Sequence, residues 1–232
     1  MNRNRPNLLH GSTVTQWILY VTVAISLAST VLSWIGIRPW IYLAFIPALA
    51  DIQPWRFLTV VLVHGGFIHL ALNMFTLYIV GPTIERALGS WRYLALYLLS
   101  AVGGSLAVLA WVLVSPSSIG GASVGASGAI FGLFAAIYVL QRTAGVDTRA
   151  IVILLAINLG YGFIVSGISW QAHLGGMIAG AIVTWVLVRL GKPRVGITAA
   201  EQDRQTKLAV GGMFVAAAAI ASVLFMALGM WR

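Results

Sequence analysis

Apolar residues follow one another along this chain in long unbroken runs, with neither the period-two alternation of a half-buried strand nor the polar face of a surface helix. Runs of that kind suit helices solvated by lipid, since about 20 apolar residues are needed to cross a bilayer. Charged and turn-forming residues divide them. The first predicted span is Val14–Ile35, inside an uncharged stretch from Pro6 to Ile37 that is longer than the apolar core of a cleaved signal. Gly36–Arg56 holds three prolines and two tryptophans and is too broken to span. A second span is predicted over Phe57–Val80, ending before Gly81-Pro82 and the charges Glu85 and Arg86. The uncharged stretch Tyr93–Gln141 is too long for one crossing. It breaks at Ser115-Pro116-Ser117-Ser118 and the glycine-rich run to Gly125, which predicts a third span over Tyr93–Val114 and a fourth over Ser127–Gln141. Ala150–Val188 breaks at Ser166–Ser169 into a fifth and a sixth. A charged linker from Arg189 to Lys207 precedes a seventh, Leu208–Met230. The predicted fold class is therefore all-α, a polytopic membrane helical bundle of about seven transmembrane helices.

Composition sharpens this picture. Of 232 residues, 60% are hydrophobic and 8% charged, whereas a soluble domain carries about 25% charged residues to hold its surface in water. The bilayer is the expected partner of most of this surface. A net charge of +9 raises the possibility of nucleic acid, but no basic run is dense enough to act as a patch. The basic residues sort by side instead. With the N-terminus inside, Arg3, Arg5, Arg86, Arg92, Arg142, Arg149, Arg189, Lys192, Arg194, Arg204 and Lys207 are cytoplasmic, and only Arg38, Arg56 and Arg232 are outside. That asymmetry predicts an N-inside, C-outside protein of the cell membrane. Cysteine is absent, so thiolate and disulfide chemistry are excluded.

Polar residues at membrane depth are costly and are functional candidates. No H-E-x-x-H motif is present for a zinc protease. The aspartates Asp51, Asp147 and Asp203 all fall in predicted loops, so a paired-aspartate site has no atoms to use. No metal or cofactor is expected. What remains are the ingredients of acyl transfer: Ser127 opening the fourth span, His173 opening the sixth, and His69 and Asn73 four apart on one face of the second. Counting about 1.5 Å per residue from each span's cytoplasmic end puts these four roughly 18–24 Å up a layer about 30 Å thick. They share one level below the outer surface, so water must reach Ser127 through a cavity open to the outside. Gly128 with Gly132, and Gly176 with Gly180, form G-x-x-x-G pairs beside the serine and the histidine, a spacing that permits close helix approach. His64 and His69 are five apart, about 140° around a continuous helix, too far round to form a metal pair. Glu85, Arg86 and Arg92 suit interfacial anchors and pairings, Trp55 and Trp170 an interface belt, and Asn158 a packing hydrogen bond. Ser123 repeats the local Gly-Ala-Ser sequence but is followed by Val124 rather than glycine.

Together these residues resemble the rhomboid family of intramembrane serine proteases. The resemblance runs from Trp55 to about Gly180. It rests on Trp55-Arg56, on His64, His69 and Asn73, on Gly81, Glu85 and Gly89, on Gly125-Ala126-Ser127-Gly128, and on Ala172-His173 with Gly176 and Gly180. It implies a rhomboid-like bundle in which residues 1–13 are a cytoplasmic N-terminus, 14–190 a six-helix catalytic core, 191–207 a cytoplasmic linker and 208–232 a seventh transmembrane helix. It further implies a Ser-His dyad: Ser127 as nucleophile, His173 as general base and acid, and His69, Asn73 and the Ser127 backbone N–H holding the oxyanion. Substrates would be membrane-spanning proteins, reaching the site between the second and fifth spans. Phe131 stands where many relatives carry a tyrosine under the histidine ring. The competing function is a catalytically silent rhomboid-like protein that binds membrane clients, although both dyad residues are retained here. A transporter would need charges at the midplane, and none is present. The sequence carries no signal for an oligomeric state.

Overall fold

A computed structural model of the protein describes residues 13–165 and 167–230. The predicted N-terminal segment 1–13, with Arg3 and Arg5, lies outside these residues except for Thr13, as do Arg232 and Ser166. Among the described residues seven long helices make the bundle: α1 (Val14–Trp34), α2 (Phe67–Leu88), α3 (Ser90–Trp111), α4 (Ser127–Thr143), α5 (Arg149–Ile164), α6 (Trp170–Gly191) and α7 (Ala199–Ala227). Five of them, α1, α2, α3, α6 and α7, are long and apolar enough to cross a membrane, whereas α4 and α5 have 17 and 16 residues.

Local chemistry sets the helix ends. Thr13 caps α1 in a reciprocal box with Gln16, Ser169 caps α6 through the Ala172 N–H, and Thr198 caps α7 through the Glu201 N–H. Glu85 acts at a distance. Its buried carboxylate accepts from the Val14 and Thr15 N–H groups, the Thr15 hydroxyl and the Ser90 hydroxyl at 2.7–3.0 Å. It thereby satisfies orphan donors at the positive end of α1 and forms no ion pair among the described residues. α1 presses close here, because a Cβ on Gly81 would lie 2.6 Å from Thr15 Cγ2. Arg92, by contrast, does pair, with Asp203 of α7 at 2.8 Å.

Three predicted boundaries are corrected. The second helix starts at Phe67 rather than Phe57, because Gly65 and Gly66 interrupt it and Gly66 holds φ +146°. Residues 56–62 instead form short turns. The helix then runs on through Gly81-Pro82 to Leu88 and reverses into α3 on the single residue Gly89, at φ +83°. The seventh helix begins at Ala199 rather than Leu208: the charged run folds as helix because Arg204 pairs with Glu201 and Lys207 with Asp203 at 2.8 and 2.9 Å.

The segment joining α1 to α2 is built around a buried cation. Arg56 is only 1% exposed, and its guanidinium donates to the carbonyls of Ile41 and Ala44 and to Gln53 Oε1. An isolated antiparallel bridge pairs Phe45 with Ser123, tying this segment to the loop that leads into α4.

At the centre, α6 lies between α3 and α4 with almost no side chain between backbones. A Cβ on Gly176 would strike the Gly128 carbonyl, one on Gly180 would strike the Gly132 backbone, and one on Gly175 would strike Gly103 of α3. Both G-x-x-x-G pairs are thus packed against each other, the close approach that small residues allow.

Candidate active site

The loop entering α4 can be followed residue by residue. Gly125 has φ +115°, a conformation that favours glycine, and a Cβ there would lie 2.7 Å from His69 Cε1. Its N–H donates to the Val60 carbonyl at 3.0 Å. The next N–H, of Ala126, donates to His64 Nε2 at 3.3 Å. Ser127 then opens α4 as its first residue, with no side-chain cap preceding it. Helical geometry leaves the first N–H groups without intrahelical acceptors and puts positive potential there.

From the facing helix, His173 brings its Nε2 to 2.9 Å from Ser127 Oγ. The imidazole lies flat on Phe131, with ring centroids 4.1 Å apart and planes 11° off parallel. Phe131 therefore supplies the stacking surface without a hydroxyl. His173 is 8% exposed, and its Nδ1 has no hydrogen-bond partner among the described residues.

His69 and Asn73 complete the cluster. His69 Nδ1 accepts from the Gly65 N–H at 3.3 Å, so a neutral ring carries its proton on Nε2. That Nε2 borders Gly125, where a Cβ would lie 2.9 Å away. Asn73 donates one amide proton to the His69 carbonyl at 2.8 Å, keeping the other free. The four residues singled out in the sequence are thus brought together, around a cavity of about 520 Å³ that all four line. Leu72 and Thr76 of α2 and Asn158 and Tyr161 of α5 line its flank, and Leu72 and Tyr161 are exposed. Asn158 bonds the Leu154 carbonyl of its own helix rather than a neighbour. Ser123 is held through its backbone by Phe45. Among the described residues no group of three His, Asp or Glu side chains could hold a metal ion.

Sequence reasoning missed one contributor. Ser26 of α1 donates its only proton to the Leu62 carbonyl at 2.7 Å and sits 3.0 Å from His64 Nδ1. It must therefore accept from Nδ1–H, which leaves His64 Nε2 as the acceptor for Ala126. The signal was present: Thr15, Thr22, Ser26 and Ser29 are spaced along one face of a mostly apolar helix, and all four are buried. His64 itself precedes the helix rather than riding on it. Its ring meets that of His69 edge-on at 5.1 Å, so the 140° separation expected of a continuous helix does not apply.

Burial, and after it the neighbouring His69, push the His64 imidazole down to about 4 from 6.5. A neutral folded-state ring and an ordinary unfolded one fix the sign. The His64 contribution to stability is complete above pH 6.5 and is lost as the pH falls towards 4, because the unfolded chain binds the extra proton. Melting of the detergent-solubilised protein between pH 7 and pH 4 is expected to show a shallower decline in His64→Gln than in wild type. An unchanged slope would contradict that assignment.

Residues 51–190, more than half the chain, match the Rhomboid domain. The chain belongs to the rhomboid family. This rhomboid is 41% identical over 156 residues to Rhomboid protease GluP of Bacillus subtilis (strain 168), covering 64% of this chain and 28% of that protein. It is 34% identical over 151 residues to RHOMBOID-like protein 5 of Arabidopsis thaliana, covering 62% and 47%. It is 32% identical over 154 residues to Rhomboid protease AarA of Providencia stuartii, covering 56% and 54%. The chain thus spans between about a quarter and about half the length of these relatives. Family and apolar helices together make it a multi-pass membrane protein.

Proposed function

We propose that this rhomboid is an intramembrane serine endopeptidase that cuts membrane-spanning substrates with a Ser127–His173 dyad. The observation that carries it is the 2.9 Å contact between Ser127 Oγ and His173 Nε2, at a helix N-terminus and beside a cavity. His173 Nε2 takes the hydroxyl proton as Oγ bonds to the scissile carbonyl carbon. The carbonyl oxygen becomes an oxyanion, which the Ser127 N–H, His69 Nε2–H and the free amide proton of Asn73 stabilise. Return of the proton from His173 to the leaving amine breaks the C–N bond and leaves an acyl-serine. Water, deprotonated by the same Nε2, then attacks the acyl carbon, and Nε2 returns that proton to Ser127 Oγ as the C–O bond breaks and the acid leaves. No carboxylate orients His173; stacking on Phe131 does so, and a cation over an aromatic face is favourable when the ring is protonated.

The N-inside orientation follows from the charge asymmetry of the chain, and it opens the cavity on the extracytoplasmic side. Flanking residues on α2 and α5 support lateral access for a substrate helix between those two elements. An extended strand is required at the dyad, so Gly or Pro near the cut favours cleavage.

The test is reconstitution with a single-span substrate carrying such a weakened segment. Cleavage is expected within or beside the segment, and an intact substrate alongside folded protein would contradict the proposal. His69→Phe and Asn73→Ala are each expected to lower kcat by about 10²–10³ with little change in KM, the usual cost of one oxyanion donor. A change confined to KM would reassign both to substrate binding.

A further inference from the structure

A second cavity, of about 480 Å³, shares no lining residue with the first. It lies between the segment that follows α1, helix α3 and helix α7. Phe57, Leu58, Val102, Phe214 and Phe225 supply apolar walls, and small residues on α7, among them Ala217 and Ala218, leave the space open. Along α7 the lining reaches from Phe214 to Phe225, about 16 Å at 1.5 Å per residue. That is the depth of one leaflet, half of a hydrocarbon layer of about 30 Å. The groove therefore has the length and the surface for one acyl chain.

Among the described residues, its single charged lining residue is Asp51. Asp51 belongs to the segment between α1 and α2, which the N-inside orientation proposed above puts at the extracytoplasmic end of the bundle, and it forms no ion pair among the described residues. Arg56, close in sequence, spends its guanidinium on the carbonyls of Ile41 and Ala44 and on Gln53. Among its described lining residues this acyl-sized groove thus carries one negative charge, and a carboxylate on an otherwise apolar wall selects a cation. A primary ammonium supplies both charge and N–H donors, whereas a quaternary ammonium supplies charge alone.

We propose that this groove binds a phospholipid bearing a primary amine, one acyl chain lying along α7 and the ammonium paired with Asp51. The site has a route to the dyad. Phe57 in its wall meets Phe45 edge-on at 5.0 Å, and Phe45 is bridged to Ser123, four residues before Ser127. A chain in the groove braces α7 against that wall, where Phe225 already meets Phe57 at 6.4 Å.

Native mass spectrometry of the full chain, released from vesicles of phosphatidylglycerol with equal phosphatidylethanolamine and phosphatidylcholine, tests this without reference to proteolysis. Wild type is expected to retain phosphatidylethanolamine roughly threefold to fivefold over phosphatidylcholine, the size of one hydrogen bond that the quaternary ammonium cannot make. Asp51→Asn is expected to lose that preference while still retaining lipid. Ala218→Trp and Ala217→Phe, each checked for an unchanged melting temperature, are expected to lose retention of either lipid. Equal retention by wild type, a preference that survives in Asp51→Asn, or undiminished lipid in both filled variants would overturn the proposal. So would a lipid-free dimer, which would assign the groove to a second copy of the chain.

Discussion

His173→Ala is expected to lower kcat on a single-span substrate by about 10⁴-fold or more, and Ser127→Ala to match it, with KM little changed in either. The size follows from what each atom does. Without Oγ there is no nucleophile, and without Nε2 at 2.9 Å the hydroxyl keeps its proton. Because the two act as one unit, the double variant is expected to be no slower than either single one, the non-additivity found when nucleophile and base are removed together. Additive losses would mean that serine and histidine work separately, which is incompatible with a dyad. Phe131→Ala is expected to have a smaller effect, since it removes the surface that orients the imidazole while leaving both reacting atoms in place.

Gly176→Val is expected to cost at least about 10² in kcat and to lower the melting temperature, although residue 176 donates nothing to the chemistry. A Cβ there would collide with the Gly128 carbonyl oxygen, one residue past the nucleophile. Backbone cannot yield as a flexible side chain can, so α4 and α6 must separate. A misplacement of about 1 Å between reacting groups is enough to cost 10²-fold, and overpacking of this kind typically costs about 1–3 kcal/mol in stability. Gly160→Ala on α5 is the control: its Cβ would meet nothing within 4 Å, and both readings are expected to stay near wild type. Equal behaviour of the two variants would remove the glycine contact from the account of how serine and histidine meet.

Much of this architecture was legible in the chain, for identifiable reasons. Lipid leaves a strong signature in hydropathy, so the number and order of helices followed from uncharged runs alone. Helix ends are less legible, because a charge in the sequence looks like the end of a membrane helix whether or not it finds a partner. Glu85 and the run Glu201 to Lys207 are helical since their charges find partners, in the N-terminus of α1 for one and in i, i+3 and i, i+4 neighbours for the others. The Gly65-Gly66 break was hidden inside an apolar stretch that looked continuous from Phe57.

The candidate site was legible through the glycines flanking Ser127 and His173 and through the i, i+4 spacing of His69 and Asn73. What spacing could not convey was the set of contacts beyond one helix: Ser26 to His64, His64 to the Ala126 N–H, and Phe45 to Ser123. These join residues far apart in sequence, and no local pattern records them. They hold the loop whose last turn aims the serine.

The pairing of Ser127 with His173 is tested most directly by labelling with a fluorophosphonate, followed by mass mapping of the modified peptide. A hydroxyl activated by an imidazole reacts with such a probe, whereas an unactivated serine in a membrane helix does not. The expected result is a single adduct on Ser127 in wild type, absent in Ser127→Ala and reduced to background in His173→Ala. Labelling of Ser127 that persists undiminished in His173→Ala, or an adduct on Ser123 instead, would contradict it.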